Sequence, residues 1–196
     1  GGRSVERDGW RVSSIEGAVM EGVESRAHGW GRGAEVVVEW AGFGYASEAG
    51  HPGQPEEAGI SAGAAMQMAL ADADVGLDQV DYINAHGTST PLNDALETVA
   101  IKRLFGDLAY KIPISSTKSM IGHSLGAAGS LDAAACVKTI TESMIHPTVN
   151  LDDPDPECDL DYVPNQARAA DVQVALSNAF GFGGQNACLV FRKYVE

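Results

Sequence analysis

Two stretches of this chain gather side chains able to act on a polarised oxygen: DYINAHGTSTPLND around His86 and SSTKSMIGHSLGAAG around His123. Each sets an imidazole at the head of a small-residue, polar turn, and Lys118 lies between the two. An imidazole followed by glycine and hydroxyls suits donation to a developing oxyanion and hydrogen bonding along a polar ligand tail. Two histidines and one lysine, with no metal-ligand spacing, point to polarising a carbonyl or stabilising an enolate. The residues leave a plainer alternative open. His86 can cap a strand while the hydroxyls satisfy loop amides or cap the next helix. The glycines around His123 can serve close helix packing alone, and a solvated Lys118 is the commoner fate of a lysine.

Other residues carry weaker signals. Asp94 and Glu97 read most simply as helix-start acids favoured by the macrodipole. Asp132, an acid inside an alanine-rich helix, calls for a partner. In GFGG, Phe180 and Phe182 alternate with glycine, which is either a tight turn or a mobile apolar gate.

The elements that must position these residues follow from pattern. The run AEVVVEWAGFGY (34–45) is β-branched and aromatic and reads as a buried strand. SEAGHPGQPEE is a surface loop. A helix is expected over 56–74, with Ile60, Ala64, Met68 and Ala71 near one face. VDYINA is a short strand, and 94–105 an amphipathic helix with Leu96, Val99, Ala100 and Leu104 facing inward. KIPISS is a strand and 122–141 a second, alanine-rich helix. IHPTVNLDDPDPECDLDYVPN holds four of the eight prolines and reads as an ordered, irregular excursion. VQVALSNAF and NACLVFRKY are strands joined through GFGGQ as a hairpin. Strand–helix alternation closed by a hairpin means an α/β fold: a mixed, parallel-rich sheet with crossover helices. Sites in such sheets lie beyond the carboxyl ends of the strands, where both His86 and Lys118 fall by sequence. Residues 1–33 are the least readable, because glycines at 17, 22, 29, 31 and 33 interrupt any helical period.

Composition narrows the classes. A net charge of −14 argues against non-specific nucleic-acid binding and leaves only local basic spots, such as Lys102–Arg103, for an acidic partner. No apolar run reaches 18 residues, so no membrane span is expected. Cys136, Cys158 and Cys188 are too widely and oddly spaced for a disulfide framework or a zinc site, which favours a reducing, cytoplasmic location. The start GGRSVERDGW has neither the apolar core of a signal peptide nor a transit composition.

At HGTSTP, KSMIGHSLGAAG, PDPECDLDYVPN and SNAFGFGG the chain closely resembles the C-terminal half of the β-ketoacyl synthases, nearest to the elongating 3-oxoacyl-(acyl-carrier-protein) synthase II type. The likeness runs from about residue 34 to 194, so 34–196 is expected to be the C-terminal domain and 1–33 a divergent or incomplete N-terminal segment. The resemblance implies the second half of a thiolase-like fold and decarboxylative Claisen condensation in fatty-acid elongation. It also implies acyl carrier protein as partner, bringing its 4′-phosphopantetheine arm, a homodimer when the N-terminal half is present, and neither a metal nor a further cofactor. His86 and His123 match the family histidines that hydrogen-bond the malonyl thioester carbonyl as it becomes an enolate. Lys118 matches the lysine that organises them, and Thr88 and Thr90 match the threonines that hold the pantetheine arm. Phe182 matches the gating phenylalanine, with Phe180 beside it, and Glu97 an acid near the site.

Three departures accompany the likeness. The family's nucleophilic cysteine belongs to the N-terminal half, and none of the three cysteines here stands in a comparable setting, so condensation by this chain alone is not expected. RDGW at 7–10 resembles the family's RDGF, but the glycine-rich run after it has become SSIEGAV, and Gly29 and Gly31 are expected to break the helix before RGA. Asp132 stands where the family usually has Glu. Two other readings differ in class: a non-catalytic partner like the chain-length factors of polyketide systems, which retention of both histidines and the lysine disfavours, and a thiolase-type acyl-CoA enzyme, which HGTSTP and the lysine disfavour.

Overall fold

A computed structural model describes residues 5–7, 12–48 and 59–195. The turn residues of RDGW, most of the SEAGHPGQPEE loop and the expected helix start at 56–58 lie outside the described residues. Its centre is a five-stranded sheet built from β1 (Val38–Ser47), β2 (Tyr82–Asn84), β3 (Ile114–Ser115), β6 (Val174–Gly181) and β7 (Gln185–Lys193), in the order β1-β7-β6-β2-β3. β2 pairs in parallel with both β3 and β6, while β7 is antiparallel to β6 and β1. Four strands therefore share one direction and β7 alone runs against them, as a closing hairpin in a parallel-rich sheet requires. A second, two-stranded sheet pairs β4 (Met144–Ile145) with β5 (Arg168–Ala169).

Helices cover both faces, and the strand residues alternate between the two cores. Ile83, Val174, Leu176 and Val190 join the cluster under α2 (Ile60–Asp72) and α3 (Asn93–Phe105). Tyr82, Ala175 and Phe191 join Ala133, Cys136 and Ile140 of α5 (Ala128–Glu142) on the other side. Burial on both faces explains why these strands read as nearly continuous apolar runs rather than as an alternation. Packing of this kind removes roughly 25 cal/mol per Å² of apolar surface from water, which favours the layered arrangement over any single strand's preference.

Local details depart from the pattern-based expectations. β1 is an edge strand and not a buried one: Trp40, Phe43 and Tyr45 are exposed, and a bulge between Trp40 and Gly42 resets its register. Gly42 and Gly44 are the residues that face inward. A Cβ on Gly44 would fall on the Ala65 carbonyl, so strand and helix backbones meet directly. That closeness decides the buried face of α2, which is Ala62, Ala65, Met66, Ala69 and Leu70; Ile60, Met68 and Ala71 lie on the outward side. Ala65, Ala69 and Ala73 fit where the strand glycines press, while Met66 and Leu70 fill the core beside them and Ile60 and Met68 are turned out.

α3 is also rotated from expectation. Its buried residues are Asp94, Glu97, Thr98, Ala100, Ile101 and Phe105, with Val99 exposed and Leu96 and Leu104 half-buried. Three polar groups take inward positions because each finds hydrogen bonds there. The helix expected over 122–141 is split: α4 (Thr117–Ile121) ends at Gly122, whose φ of +84° favours glycine, and α5 begins only at Ala128. His123 consequently sits in a loop. Among residues 12–33, Ser25 caps the six-residue α1 (Arg26–Gly31) through the His28 amide, so Gly29 and Gly31 lie within a short helix where a break was expected. The proline-rich excursion is ordered and irregular, tied back by Ile114 N–H to the Asp161 carbonyl (2.8 Å) and Asn165 to Leu151.

Candidate functional site

β2 and β3 end side by side, and the chain beyond them forms the site. After Asn84 the backbone continues pairing for one residue, with Ala85 N–H donating to the Ser115 carbonyl at 2.9 Å, and then turns at His86–Gly87. Glu97 holds this turn. Its Oε1 accepts from His86 N–H (2.9 Å) and Asn178 Nδ2 (3.1 Å), and its Oε2 from Gly87 N–H (3.0 Å). Asp94 fastens the next residues in the same way, accepting from Ser89 N–H, Asn93 Nδ2 and Val5 N–H. Both acids therefore bind the site loop, which corrects their reading as simple helix-start acids. Burial pushes the pKa of each upward, and the N–H donors pull it back. Gly87, at φ +44°, packs so close that a Cβ would meet Ser116 Cβ at 2.6 Å.

The His86 and His123 rings lie 5.6 Å apart, edge to face at 87°. Phe180, on β6, packs against His86 at 5.5 Å. His123 is held differently, through its backbone: its N–H donates to the Ser13 carbonyl (2.6 Å) and its carbonyl accepts from Ile15 N–H (3.1 Å). Residues 13–15 thus act as a splint that no periodicity advertised. Leu125 N–H donates to His123 Nδ1 at 3.1 Å, which makes Nδ1 an acceptor and leaves the proton of the neutral ring on Nε2. In His86, Nδ1 is buried without a hydrogen-bond partner.

Lys118 and Asp132 form a buried ion pair, Nζ to Oδ2 at 2.5 Å. Asp132 therefore has the partner that its place in an alanine-rich helix demands, and Lys118 is buried instead of solvated. Burial pushes the Asp132 carboxyl up, opposed by the charge and the hydrogen bond of Lys118. Desolvation drives the pKa of His86 well down, and the charge of Lys118 adds to the effect; His123 is lowered by the same two causes. Both rings are neutral near neutrality. They can donate N–H bonds to an oxygen that gains negative charge, with a fixed cation nearby.

The remaining candidates are placed as follows. Thr88 and Thr90 are half-buried with their hydroxyls 3.0 Å apart, and Thr90 Oγ1 also accepts from Asn93 N–H. Phe182 projects from the β6–β7 turn and is 85% exposed, away from the ring contact that Phe180 makes. Lys102 is paired with Asp159 and is not a free basic spot. All three cysteines are buried, and burial raises their thiols, Cys158 to about 12 and the other two further, so none is poised as a thiolate. Asn84 and Asn178 were missed by motif reading. Asn84 Nδ2 bonds Thr117 Oγ1 (2.8 Å) and the Asp132 carbonyl (3.0 Å), and Asn178 meets Glu97. Their sequence signal was an asparagine inside each of two otherwise apolar strands, YIN and ALSNAF. Among the described residues no three His, Cys, Asp or Glu side chains cluster to hold a metal ion, and no helix is long and apolar enough to cross a membrane.

Comparison with known proteins agrees with this architecture. Residues 37–152 match the family described as "Beta-ketoacyl synthase, C-terminal domain". A 3-oxoacyl-[acyl-carrier-protein] synthase 2 of Synechocystis is 49% identical over 190 residues, which is 96% of this chain and 45% of the relative. Nodulation protein E of a Rhizobium species is 51% identical over 178 residues, covering 91% and 44%. The chain thus spans less than half the length of these relatives. Among solved structures, the ishigamide ketosynthase/chain length factor superposes with a TM-score of 0.92 at 37% identity, over 99% of this chain and 47% of that one. A β-ketoacyl synthase from Burkholderia phymatum gives 0.82 at 41% identity, over 88% and 41%. The fold is that of the thiolase-like ketosynthases.

Proposed function

The chain belongs to the β-ketoacyl synthase family, whose C-terminal domain it matches over residues 37–152, and from that premise we propose that it carries the decarboxylating half of a condensing enzyme. The substrate is a malonyl thioester on an acyl carrier protein. The carboxylate leaves as carbon dioxide, and the electrons of the broken C–C bond pass into the thioester carbonyl to give an enolate. His86 and His123 meet that oxygen with N–H donors. The enolate carbon then attacks an acyl thioester held on a cysteine of the other half, forming a C–C bond and releasing the cysteine thiolate. Thr88 and Thr90 hold the pantetheine arm, and Phe182 gates entry. Such an enzyme works in fatty-acid elongation as a cytoplasmic homodimer.

The observation that carries this reading is the pair of imidazoles, 5.6 Å apart, in a site that also holds the buried Lys118–Asp132 pair, where burial and the Lys118 charge both disfavour their protonation. A protonated histidine would repel Lys118; a neutral one can donate without that cost. The relatives named as 3-oxoacyl-[acyl-carrier-protein] synthases favour fatty-acid elongation. A chain-length-factor-like partner is a weaker alternative, supported by solved neighbours that pair a ketosynthase with a chain length factor and opposed by the intact histidine–lysine set. In a full-length synthase carrying this chain, His86→Ala and His123→Ala should each slow malonyl decarboxylation by about 10²–10³. Wild-type rates in both variants would sink the assignment.

A further inference from the structure

His146, at the end of β4 and far in sequence from both motifs, sits beneath the entry to α4. Its Nε2 lies 3.1 Å from Tyr82 Oη and 3.1 Å from Thr117 Oγ1. Its Nδ1 lies 3.3 Å from the Pro147 carbonyl, which can only accept; that contact puts the ring proton on Nδ1 and leaves the single lone pair of Nε2 to accept from the Thr117 hydroxyl. The Tyr82 hydroxyl also meets Ser115 Oγ at 2.8 Å. Thr117 Oγ1 in turn accepts from Asn84 Nδ2 (2.8 Å), which also donates to the Asp132 backbone carbonyl (3.0 Å), and the Asp132 carboxylate grips Lys118 at 2.5 Å. The polar chain from His146 to the cation beside His86 and His123 is therefore continuous.

We propose that His146 is a positioning residue, which fixes the Thr117 hydroxyl and, through Thr117, Asn84 and Asp132, the place of Lys118 Nζ beside the two site histidines. The physical reason lies in what a buried polar chain requires. Tyr82, Asn84, Ser115 and Thr117 are all buried, so each hydroxyl and amide needs a partner of the right sense. Removing an acceptor from the end of such a chain lets the Thr117 hydroxyl rotate toward other partners, and Asn84 loses the fixed acceptor that orients its amide on Asp132. A neutral imidazole supplies that acceptor at Nε2 while Pro147 holds the opposite edge. The role rests on the decarboxylation reading only for its effect on rate; the placement of Lys118 stands apart from it.

Two readouts separate these claims. In a full-length synthase carrying this chain, His146→Leu should lower kcat for malonyl decarboxylation about tenfold with little change in KM, because the loss falls on a group that acts at the charged transition state. His146→Gln, which restores an acceptor and a donor, should recover most of that loss. In the same full-length synthase, the His123 imidazole reports the position of Lys118, whose charge adds to burial in depressing its pKa. Its titration, followed by NMR, should shift in His146→Leu and stay near wild type in His146→Gln. A wild-type synthase without decarboxylase activity would overturn the proposed function but leave the titration to decide the positioning. An unmoved His123 titration in His146→Leu, or an equal shift in both variants, would overturn the positioning role.

Discussion

The two histidine turns reach one site by opposite means. The His86 turn is clamped by side chains: Glu97 takes two successive backbone N–H groups and Asp94 takes the amide of Ser89. The His123 turn is clamped by backbone, lying beside residues 13–15 with bonds in both directions. The first is buried and the second half-exposed. A clamp of buried carboxylates makes a turn rigid through local sequence, since Asp94 and Glu97 sit on the helix that the turn itself begins. A splint from a distant segment makes the other turn depend on tertiary structure.

That contrast can be broken from either side. Glu97→Ala should have the largest effect on stability, because it strands the His86 and Gly87 amides and the Asn178 side chain in a buried place. A loss of about 3 kcal/mol or more is expected in denaturant unfolding. A change within about 0.5 kcal/mol would show that the clamp is dispensable. Gly122→Ala should cost less, about 1–3 kcal/mol. Its φ of +84° disfavours alanine, and a Cβ there would lie 2.6 Å from the Ser13 carbonyl, so the splint must shift. Hydrogen exchange should rise at His123 and Ile15 while the His86 and Gly87 amides stay protected. Equal loosening of both turns would contradict their independence.

The smallest effect concerns protons. Both imidazoles have folded-state pKa values below 6.5, His86 by the greater margin, through burial and the Lys118 charge. The folded protein resists protonating them, so their contribution to stability is full above 6.5 and is lost as pH falls through the folded values. The decarboxylation rate should therefore stay flat as pH passes down through 6.5 and decline only below it. NMR titration should show His123 protonating before His86. A rate that halves at the ordinary imidazole value would mean that the rings are not held neutral.

Much of this was legible in the sequence, for physical reasons that also explain what was not. β2, β6 and β7 and the shared strand edge follow from apolar runs and their spacing, and the sheet order agrees with them. The helix faces did not follow. Ile60 and Met68 look like the core side of α2, but the close approach of Gly42 and Gly44 turns the Ala65–Ala69–Ala73 row inward, and hydrophobicity alone does not encode that distance. Glu97 and Thr98 look like solvent residues of α3 because a buried acid is legible only together with its donors, which come from another element. Gly122 reads as part of a helix because the segment packed against it, residues 13–15, lies more than a hundred positions away. His146 stands in no motif of its own, and its partners come from β2 and the start of α4.

The central claim is that His86 and His123 act on one oxygen as a unit. A double-mutant cycle on malonyl decarboxylation in a full-length synthase carrying this chain tests it most directly. Groups that share a transition state are non-additive, so His86→Ala/His123→Ala together should cost little more than either alone. Losses that multiply, with the double variant slower by the product of the two single effects, would contradict the shared site.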